Sequence, residues 1–256
     1  MVRRPVERGP GQEVDEASRQ AGEDCVLCPP LRFRLNAMAD LPGERAVLAA
    51  DGDFFLMPDL APLAEGHVLL VTSRHLQCAG AFGKGLWARA WQWRHRVARL
   101  YRDAYGGDGL LMFEHGPGTS QGGGACIDHA HWHLLPRGSG AGGGVRDRLE
   151  AHGLPGACAT RDTVHGLFLA GRSYLLVDEQ GRATVHPADG VPSQYLRGVA
   201  MRVLEGDAGE ERSWRWQESF GLPESRARFL RTLEDLRTAV AADDARQRSE
   251  RAASHQ

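Results

Sequence analysis

The sequence contains almost no lysine, no long apolar run and no excess of positive charge. Lys84 is the only lysine among the 31 basic residues, which excludes a lysine-based mechanism elsewhere in the chain. No run of about 18 apolar residues is present to span a bilayer, and no apolar signal segment precedes the cysteines. The net charge of -2 gives no general electrostatic reason to bind nucleic acid. We therefore expect a cytoplasmic chain that acts neither on membranes nor on nucleic acid.

Cysteine is scarce and odd in number, with five residues at positions 25, 28, 78, 126 and 158. In a reducing compartment, a close pair such as Cys25 and Cys28 indicates metal or redox chemistry rather than a structural disulfide. No strand precedes this pair and no thioredoxin-like pattern follows it, which disfavours redox chemistry. A pair of thiols placed together by chance is the remaining alternative. Cys78 and Cys158 have no partner at ligand spacing, so we expect them to be buried thiols.

Composition divides the chain into two polar ends and a middle with the apolar content of a folded domain. Residues 1–24 are polar and carry no apolar period, and the tail over 244–256 is also polar, so both are predicted to be disordered. With 42% hydrophobic residues, the chain is sufficient for one core and a small second unit. We predict a first domain over 25–160 and a C-terminal extension over 161–243. The extension has too few apolar faces for a core of its own, so it should pack on the functional surface of the first domain; the alternative is a remote stabilising appendage.

Short apolar runs bounded by turn residues predict strands, and one long amphipathic stretch predicts a helix. That helix spans about 85–105, with apolar residues at helical spacing opposite an arginine face. A second helix begins near 192, and a last helix carries Phe229, Leu233 and Leu236 on one face. The predicted strands lie at 46–51, 53–58, 67–73, 110–115, 127–135, 173–178 and 183–187.

Three histidines alternate with other residues in the strand predicted over 127–135. On a strand, residues i, i+2 and i+4 point to one face, so His129, His131 and His133 would be aligned there. Imidazoles add little to packing and are costly to bury without partners, so the pattern indicates chemistry. The alternatives are a polar strand face that happens to carry histidines and a plain metal site.

The segment DHAHWHLLP resembles the signature of the histidine triad superfamily, whose members are nucleotide hydrolases and transferases. The resemblance implies an α+β fold: an antiparallel sheet with a long helix, to which this chain adds a small C-terminal α/β extension. It also implies that His131 attacks the α-phosphorus and forms a nucleotidyl-histidine intermediate. A neutral imidazole near pH 7 is a suitable nucleophile for this step. His133 would then contact the phosphoryl oxygens or the leaving oxygen.

The segment PDLAPLAEGHVLLVTSRH extends the resemblance beyond the triad. By position, Asp59 would bind the ribose hydroxyls and His67 would lie beside the phosphate. The alternatives are a turn-capping aspartate and an ordinary strand histidine. Many relatives carry a hydroxyl residue three positions before the triad, where this chain has Cys126, a poor hydrogen-bond donor. We therefore expect side chains of the glycine-rich loop before the triad to replace it, namely Ser120, Gln121 or Thr119.

Superfamily members with this CxxC pair bind zinc, as the galactose-1-phosphate uridylyltransferases do. The resemblance implies four ligands, Cys25, Cys28, His75 and His129, and a structural zinc that orients the catalytic strand. Apolar contacts to the base are expected from Leu31, Phe33, Phe54 and Phe55, whereas His115 is expected at the surface.

The leading hypothesis is a nucleotide-phosphate hydrolase, because transferase branches more often carry glutamine at the position of His133. A nucleotidyltransferase or phosphorylase, and a non-catalytic module that binds nucleotide, are the alternatives. RNA binding through Trp214 and Trp216 is disfavoured by the net charge. Relatives are commonly homodimers, and the 85–105 helix, with Trp87, Trp91 and Trp93, is the predicted interface.

Overall fold

The computed structural model describes residues 25–107, 109–117, 127–137, 144–205 and 213–254. The strands in these segments form one antiparallel sheet, so the predicted α+β fold is confirmed. Their order across the sheet is β1-β2-β3-β5-β4-β7-β8-β6. The strands are β1 (Ala49–Ala50), β2 (Phe54–Pro58), β3 (Val68–Thr72), β4 (Gly109–Gly116), β5 (His131–Arg137), β6 (Ala157–Cys158), β7 (Tyr174–Glu179) and β8 (Arg182–Pro187).

Helices cover both faces of this sheet. None of those in the described segments combines the length and apolar composition that a membrane span requires. The segments predicted as the disordered N terminus (1–24) and the glycine-rich loop before the triad lie outside the described residues, apart from Gly116 and Pro117. The helices are α1 (Leu31–Met38), α2 (Lys84–Tyr105), α3 (Val145–Ala151), α4 (Arg161–Leu169), α5 (Tyr195–Glu205), α6 (Trp216–Ser219) and α7 (Pro223–Ala253).

Helix α2 matches the helix predicted over 85–105. Its buried residues, which include Ala90, Val97 and Leu100, recur at helical spacing and face the sheet. The helix ends at Gly106, whose φ of 70° is the left-handed conformation that glycine adopts without steric cost. The Gly106 N–H donates to the Arg102 carbonyl at 3.0 Å and satisfies one of the last carbonyl groups.

The alternation of side chains along β4 separates the two apolar clusters of the fold. Leu110 and Met112 belong to the cluster under α2 and α7, whereas Leu111 and Phe113 belong to the cluster under α3 and α5. Because β4 pairs with β5 through Phe113 and His133, His131 and His133 lie on the side of the sheet that α5 covers. The C-terminal part of the chain therefore lies over these two histidines.

The C-terminal third continues the sheet of the first domain. Strand β7 pairs with β4 along its whole length, from Leu111↔Glu179 to Gly116↔Tyr174, and β8 pairs with β7. The division at residue 160 consequently falls between strands of one sheet, and its status as a domain boundary stays a prediction.

Helix α7 extends to Ala253, although the tail over 244–256 was predicted to be disordered. Ion pairs between α7 and α2 hold this extension in place. Arg96 contacts Asp243 at 2.9 Å and Asp244 at 2.5 Å, and Arg246 contacts Asp103 at 2.5 Å. In the sequence, these charged residues look like an ordinary polar tail, because their ion-pair partners lie more than a hundred residues away.

A titratable carboxyl group lies buried on strand β4. Glu114 of β4 accepts hydrogen bonds from the Ala79 N–H at 2.9 Å and from the Tyr174 hydroxyl at 2.8 Å. Burial raises the pKa of Glu114 to about 7, and the two hydrogen bonds offset only part of this shift. The carboxyl group is therefore half protonated near neutral pH.

A Glu114→Gln variant is expected to differ from the wild type in how its stability depends on pH. The folded pKa of about 7 lies above the ordinary value of 4.5, so the unfolded chain ionises first as the pH rises. The stabilisation by Glu114 is complete below about pH 4.5 and is lost as the pH rises through about 7. The wild type should lose about 3 kcal/mol relative to the variant over this range. Urea unfolding of both proteins at several pH values measures the difference, and parallel curves would contradict the prediction.

Candidate active site and metal centre

The histidine segment straddles the start of strand β5. The strand begins at His131, and its pairing with β3 places Val71 opposite His131 and Leu69 opposite His133. The prediction that three histidines lie on one strand is wrong for His129, which precedes β5. The carbonyl of Ala130, the next residue, still accepts from the Thr72 N–H at the end of β3, but its N–H donates to the Leu76 carbonyl beyond that strand. His129 is thereby directed to a different site from His131 and His133.

Four predicted ligand residues, Cys25, Cys28, His75 and His129, lie together. Their ligand atoms all lie within 4.8 Å of one another. The Nδ1 atom of His129 is 3.4 Å from the Cys25 Sγ and 3.3 Å from the Cys28 Sγ, and the His75 Nδ1 is 3.6 Å from the Cys28 Sγ. A tetrahedron with Zn–S and Zn–N bonds of ordinary length has edges of about 3.3 to 3.8 Å. The donor set and its spacing therefore fit a zinc ion.

The orientation of His129 is fixed from its other side. Its Nε2 lies 2.9 Å from the Thr72 carbonyl oxygen, to which it donates, so its Nδ1 carries the lone pair that faces the two sulfur atoms. The hydrogen bond with Cys28, together with His129, lowers the pKa of Cys25 to about 3. The hydrogen bond with Cys25, together with burial, raises the pKa of Cys28. This is expected when two neighbouring sulfur atoms share one proton.

His131 is held as a neutral imidazole with its nucleophilic nitrogen on the far side of the ring from the backbone. Its Nδ1–H donates to the His129 carbonyl oxygen at 2.5 Å, so the lone pair lies on Nε2. Burial, followed by the charge of His133, lowers the pKa of His131 to about 3. The ring therefore stays unprotonated at neutral pH, as a nucleophile requires.

His67 and His133 form a hydrogen-bonded pair beside His131. The Leu63 N–H donates to the His67 Nδ1 at 3.1 Å, so the proton of His67 lies on Nε2. That Nε2 is 3.0 Å from the Nδ1 of His133, and two N–H groups cannot face each other at this distance. His133 therefore accepts at Nδ1 and carries its proton on Nε2, from which it can donate to a substrate oxygen. Burial lowers the pKa of both rings to about 4.

Asp59, predicted to bind ribose, is engaged by an arginine of the C-terminal third. Its Oδ1 accepts from the Ala61 N–H at 2.7 Å, and its Oδ2 is 2.8 Å from the Nη1 of Arg197. Burial alone would raise the pKa of Asp59, but the charge of Arg197, followed by that of His67, holds it well below its usual value. Arg197 has only 2% of its surface exposed and also donates to the carbonyls of Ala61 and Trp214.

Asp59, His67 and His133 also form a group with ligand atoms close enough for a metal ion. Arg197, however, places a fixed positive charge 2.8 Å from the Oδ2 of Asp59. Binding a cation there would require displacing this buried guanidinium. The group is therefore better explained as a charge-balanced hydrogen-bond network that holds His133.

A small cavity of about 20 Å³ opens onto His131 and His133. Its lining combines the charged pair Asp59 and Arg197 with apolar side chains. The apolar lining differs from the expected set Leu31, Phe33, Phe54 and Phe55, because it consists of Val26, Leu27, Leu60, Leu69, Ile127 and Trp216. Phe54 packs against Phe82, and Phe55 lies under the guanidinium of Arg32 at 4.2 Å.

Several expectations about individual residues change in the structure. Cys78 is buried as expected, but Cys158 is exposed on the edge strand β6. His115 was expected at the surface, yet both of its ring nitrogens are buried without hydrogen-bond partners among the described residues. The loop residues Ser120, Gln121, Thr119 and Cys126 lie outside the described residues, so the expectations for them stay predictions.

Comparison with known proteins gives a distant likeness in structure. No protein-family model and no curated protein matches the chain. Among solved structures, a member of the HIT family from Bacillus subtilis is 21% identical, with a TM-score of 0.34, and the match covers 47% of this chain and 82% of that one. A zinc-bound histidine triad family protein from Mycobacterium smegmatis is 19% identical, with a TM-score of 0.34, over 59% of this chain and 94% of that one. Both are histidine triad proteins.

A third match is yeast Ap4A phosphorylase in complex with AMP. It is 16% identical, with a TM-score of 0.37, and the match covers 73% of this chain and 81% of that one. The likeness is distant in both identity and superposition, so the chemistry proposed below rests on the residues of this chain.

Proposed function

We propose that the protein is a histidine triad enzyme that hydrolyses a nucleoside-linked phosphate through a covalent intermediate on His131. The observation that carries this proposal is the 2.5 Å hydrogen bond from the His131 Nδ1 to the His129 carbonyl. It fixes the tautomer and leaves the lone pair of a neutral, buried imidazole on Nε2. His131 also lines the cavity, where a substrate could reach it.

The reaction proceeds in two steps, formation of the nucleotidyl-histidine and its hydrolysis. The Nε2 of His131 attacks the α-phosphorus, a P–N bond forms, and the P–O bond to the leaving group breaks with its electron pair going to oxygen. The leaving oxygen takes a proton from water. A second water then attacks phosphorus, the P–N bond breaks, and the proton released neutralises the hydroxide from the first step. The Nε2–H of His133 donates to a phosphoryl oxygen throughout and stabilises its charge.

The second proposal concerns the metal centre, which would hold a structural zinc. Bound zinc would fix Cys25, Cys28, His75 and His129 relative to one another and supply no electrophile, because no ligand position faces the phosphate. His129 links the two sites: its side chain belongs to the metal group, and its carbonyl oxygen receives the His131 Nδ1–H. The metal centre therefore supports the position of the nucleophile.

Substrate contacts beyond the histidines stay proposals. Asp59 would bind the ribose hydroxyls only after Arg197 shifts, because both carboxylate oxygens already accept hydrogen bonds. Ser120 and Gln121 would donate to the phosphate or the leaving group. We expect a small nucleoside-phosphate substrate and a cytoplasmic location.

The homodimer stays a prediction, with α2 as its expected interface. Trp87 and Trp91 pack against Trp132 of the sheet, with ring centroids 6.2 and 5.4 Å away. Trp93 is buried and donates to Asp51 at 2.7 Å. Trp87 and Trp91 are only partly buried, so part of each ring stays open to a partner.

A substrate panel with mass spectrometry tests the proposed function. The panel contains dinucleoside polyphosphates, nucleoside phosphoramidates, nucleoside diphosphate sugars and aminoacyl adenylates. Hydrolysis is expected for at least one class, with a nucleotidyl adduct on the peptide that contains His131 after rapid acid quenching. Turnover only when phosphate or a sugar phosphate is added would show a phosphorylase or transferase. Binding without turnover of any member would show a non-catalytic module.

A further inference from the structure

We propose that Trp216, from the C-terminal third of the chain, contacts the base of the nucleotide substrate. It would form one wall of the base site, and its indole N–H would donate to an acceptor on the base. The inference rests on the proposed function, since it assigns a specificity-determining residue to the same site. Neither the histidine motif nor the metal residues point to this position.

The position of Trp216 carries the inference. Its side chain lines the same cavity as His131 and His133, although it is more than 80 residues away in sequence. The apolar members of the lining include Val26, Leu60 and Ile127. A mostly apolar lining that also contains the proposed nucleophile and an arginine suits a nucleoside phosphate, whose base is flat and weakly polar and whose phosphate is charged.

The backbone around Trp216 is fixed to helix α5, so the side chain is held at the cavity by the fold. The Trp216 N–H donates to the Gln194 Oε1 at 2.8 Å, and the Gln194 Nε2 donates to the Gln217 Oε1 at 2.8 Å. Two residues earlier, the Trp214 carbonyl accepts from the Nε of Arg197 at 2.9 Å. The Trp216 ring also packs edge-on against Phe220, with centroids 6.3 Å apart.

The indole N–H of Trp216 supports the inference independently of the cavity lining. Its Nε1 is buried and has no hydrogen-bond partner among the described residues. A buried donor without an acceptor is costly, and tryptophans buried in a cavity usually find a partner for this group. The bases of nucleotides carry ring nitrogens and carbonyl oxygens that accept hydrogen bonds along their edges, so a bound base would supply the missing acceptor.

The cavity is too small in its present form to hold a base. At about 20 Å³ it holds roughly one water molecule, whereas ligand sites for drug-sized molecules occupy about 300 Å³ or more. The side chains around it must therefore separate when a base enters. Trp216 begins the short helix α6 and, like Val26 and Ile127 in the same lining, is only partly buried. Of these three residues, only Trp216 carries a hydrogen-bond donor in its side chain, so it is the one that can bind the edge of a base.

Calorimetric titration of the full-length, zinc-loaded protein with nucleoside monophosphates tests the inference. AMP, GMP, CMP and UMP are titrated first, and ribose 5-phosphate provides the same sugar and phosphate without a base. Trp216→Ala is expected to weaken binding of the best nucleotide about tenfold or more, because the apolar wall and the hydrogen bond from the indole N–H are both lost. Binding of ribose 5-phosphate should stay within about twofold of wild type. Trp216→Phe keeps a ring but lacks the N–H, so it should lose a smaller factor.

The matched control is Trp214→Phe, which removes an indole from the same segment while keeping the backbone carbonyl that Arg197 contacts. It should bind every ligand as the wild type does. Equal losses for nucleotide and ribose 5-phosphate in both Trp216 variants, or no loss in either, would overturn the inference and leave the proposed function standing. Failure of the wild type to bind any nucleotide would overturn both. If Trp216→Ala does not fold, Trp216→Phe decides: a loss for the nucleotide but not for ribose 5-phosphate supports the inference, and equal losses or no loss overturn it.

Discussion

Replacing His131 with alanine is expected to lower kcat/KM by about 10⁴-fold or more. The Nε2 of His131 forms the P–N bond, and neither of its neighbours can take over this step. His133 carries its proton on Nε2, and His67 is fully buried and bonded to Leu63 and His133. Water would have to attack without a covalent intermediate. Steady-state kinetics on the substrate identified by the panel measures the loss.

Two controls separate loss of the nucleophile from loss of the fold. The His131→Ala protein should keep its zinc content, its unfolding temperature to within a few degrees and its affinity for a nucleoside monophosphate. His95→Ala, the same substitution at an exposed position on α2, should leave activity unchanged. Activity of the His131→Ala variant within about tenfold of wild type would refute the assignment of the nucleophile.

Removal of the two metal-binding thiols is expected to have the second large effect. The wild type, purified without chelator, should contain one zinc per chain, and a Cys25→Ser, Cys28→Ser double variant should contain almost none. Serine hydroxyls do not ionise at neutral pH and are poor zinc ligands. Because metal binding and folding are coupled, the unfolding temperature should fall by about 10 °C or more. Metal analysis and thermal unfolding measure the two quantities.

Cys158→Ser provides the matched control for this experiment. Cys158 is exposed on β6 and takes no part in the metal group, so its loss should change neither zinc content nor unfolding temperature. A double variant with full zinc content would remove Cys25 and Cys28 from the metal centre. Wild-type protein without zinc would contradict the proposal of a metal centre altogether.

The CxxC pair was recognisable from its spacing, whereas the resemblance to the superfamily added the two histidines to the predicted metal group. Cys25 and Cys28 are separated by one turn, and His75 and His129 each lie close to the end of a strand that was recognisable from its apolar run. The adjacency of β3 and β5 then brings the two histidines within 4.9 Å, measured between ring centroids. The detail that His129 precedes β5 was not predictable, because it depends on where the ladder with β3 begins.

The sequence analysis did not place Arg197 and Trp216 at the site, because the residues they contact there lie far away in the sequence. Each lies in a segment that shows only ordinary helical or polar character, and each reaches the site through packing between distant parts of the chain. The contact between Arg197 and Asp59 joins residues 138 positions apart. A sequence pattern reports on neighbours along the chain, so a charge partner at this distance leaves no local signal. The same limit explains why the helical tail held by Asp243 and Arg246 was predicted to be disordered.

The position of β7 beside β4 has a consequence for how the chain is made. During synthesis, β4 leaves the ribosome first and pairs with β5, but its other edge stays open until Tyr174–Glu179 arrives. Roughly 60 residues separate the two strands, which at about 5–20 residues per second means roughly 3 to 12 s of exposure. An apolar strand with an open edge is a template for pairing with other chains. The nascent protein is therefore most vulnerable to aggregation in this interval, before the last third of the chain completes the sheet.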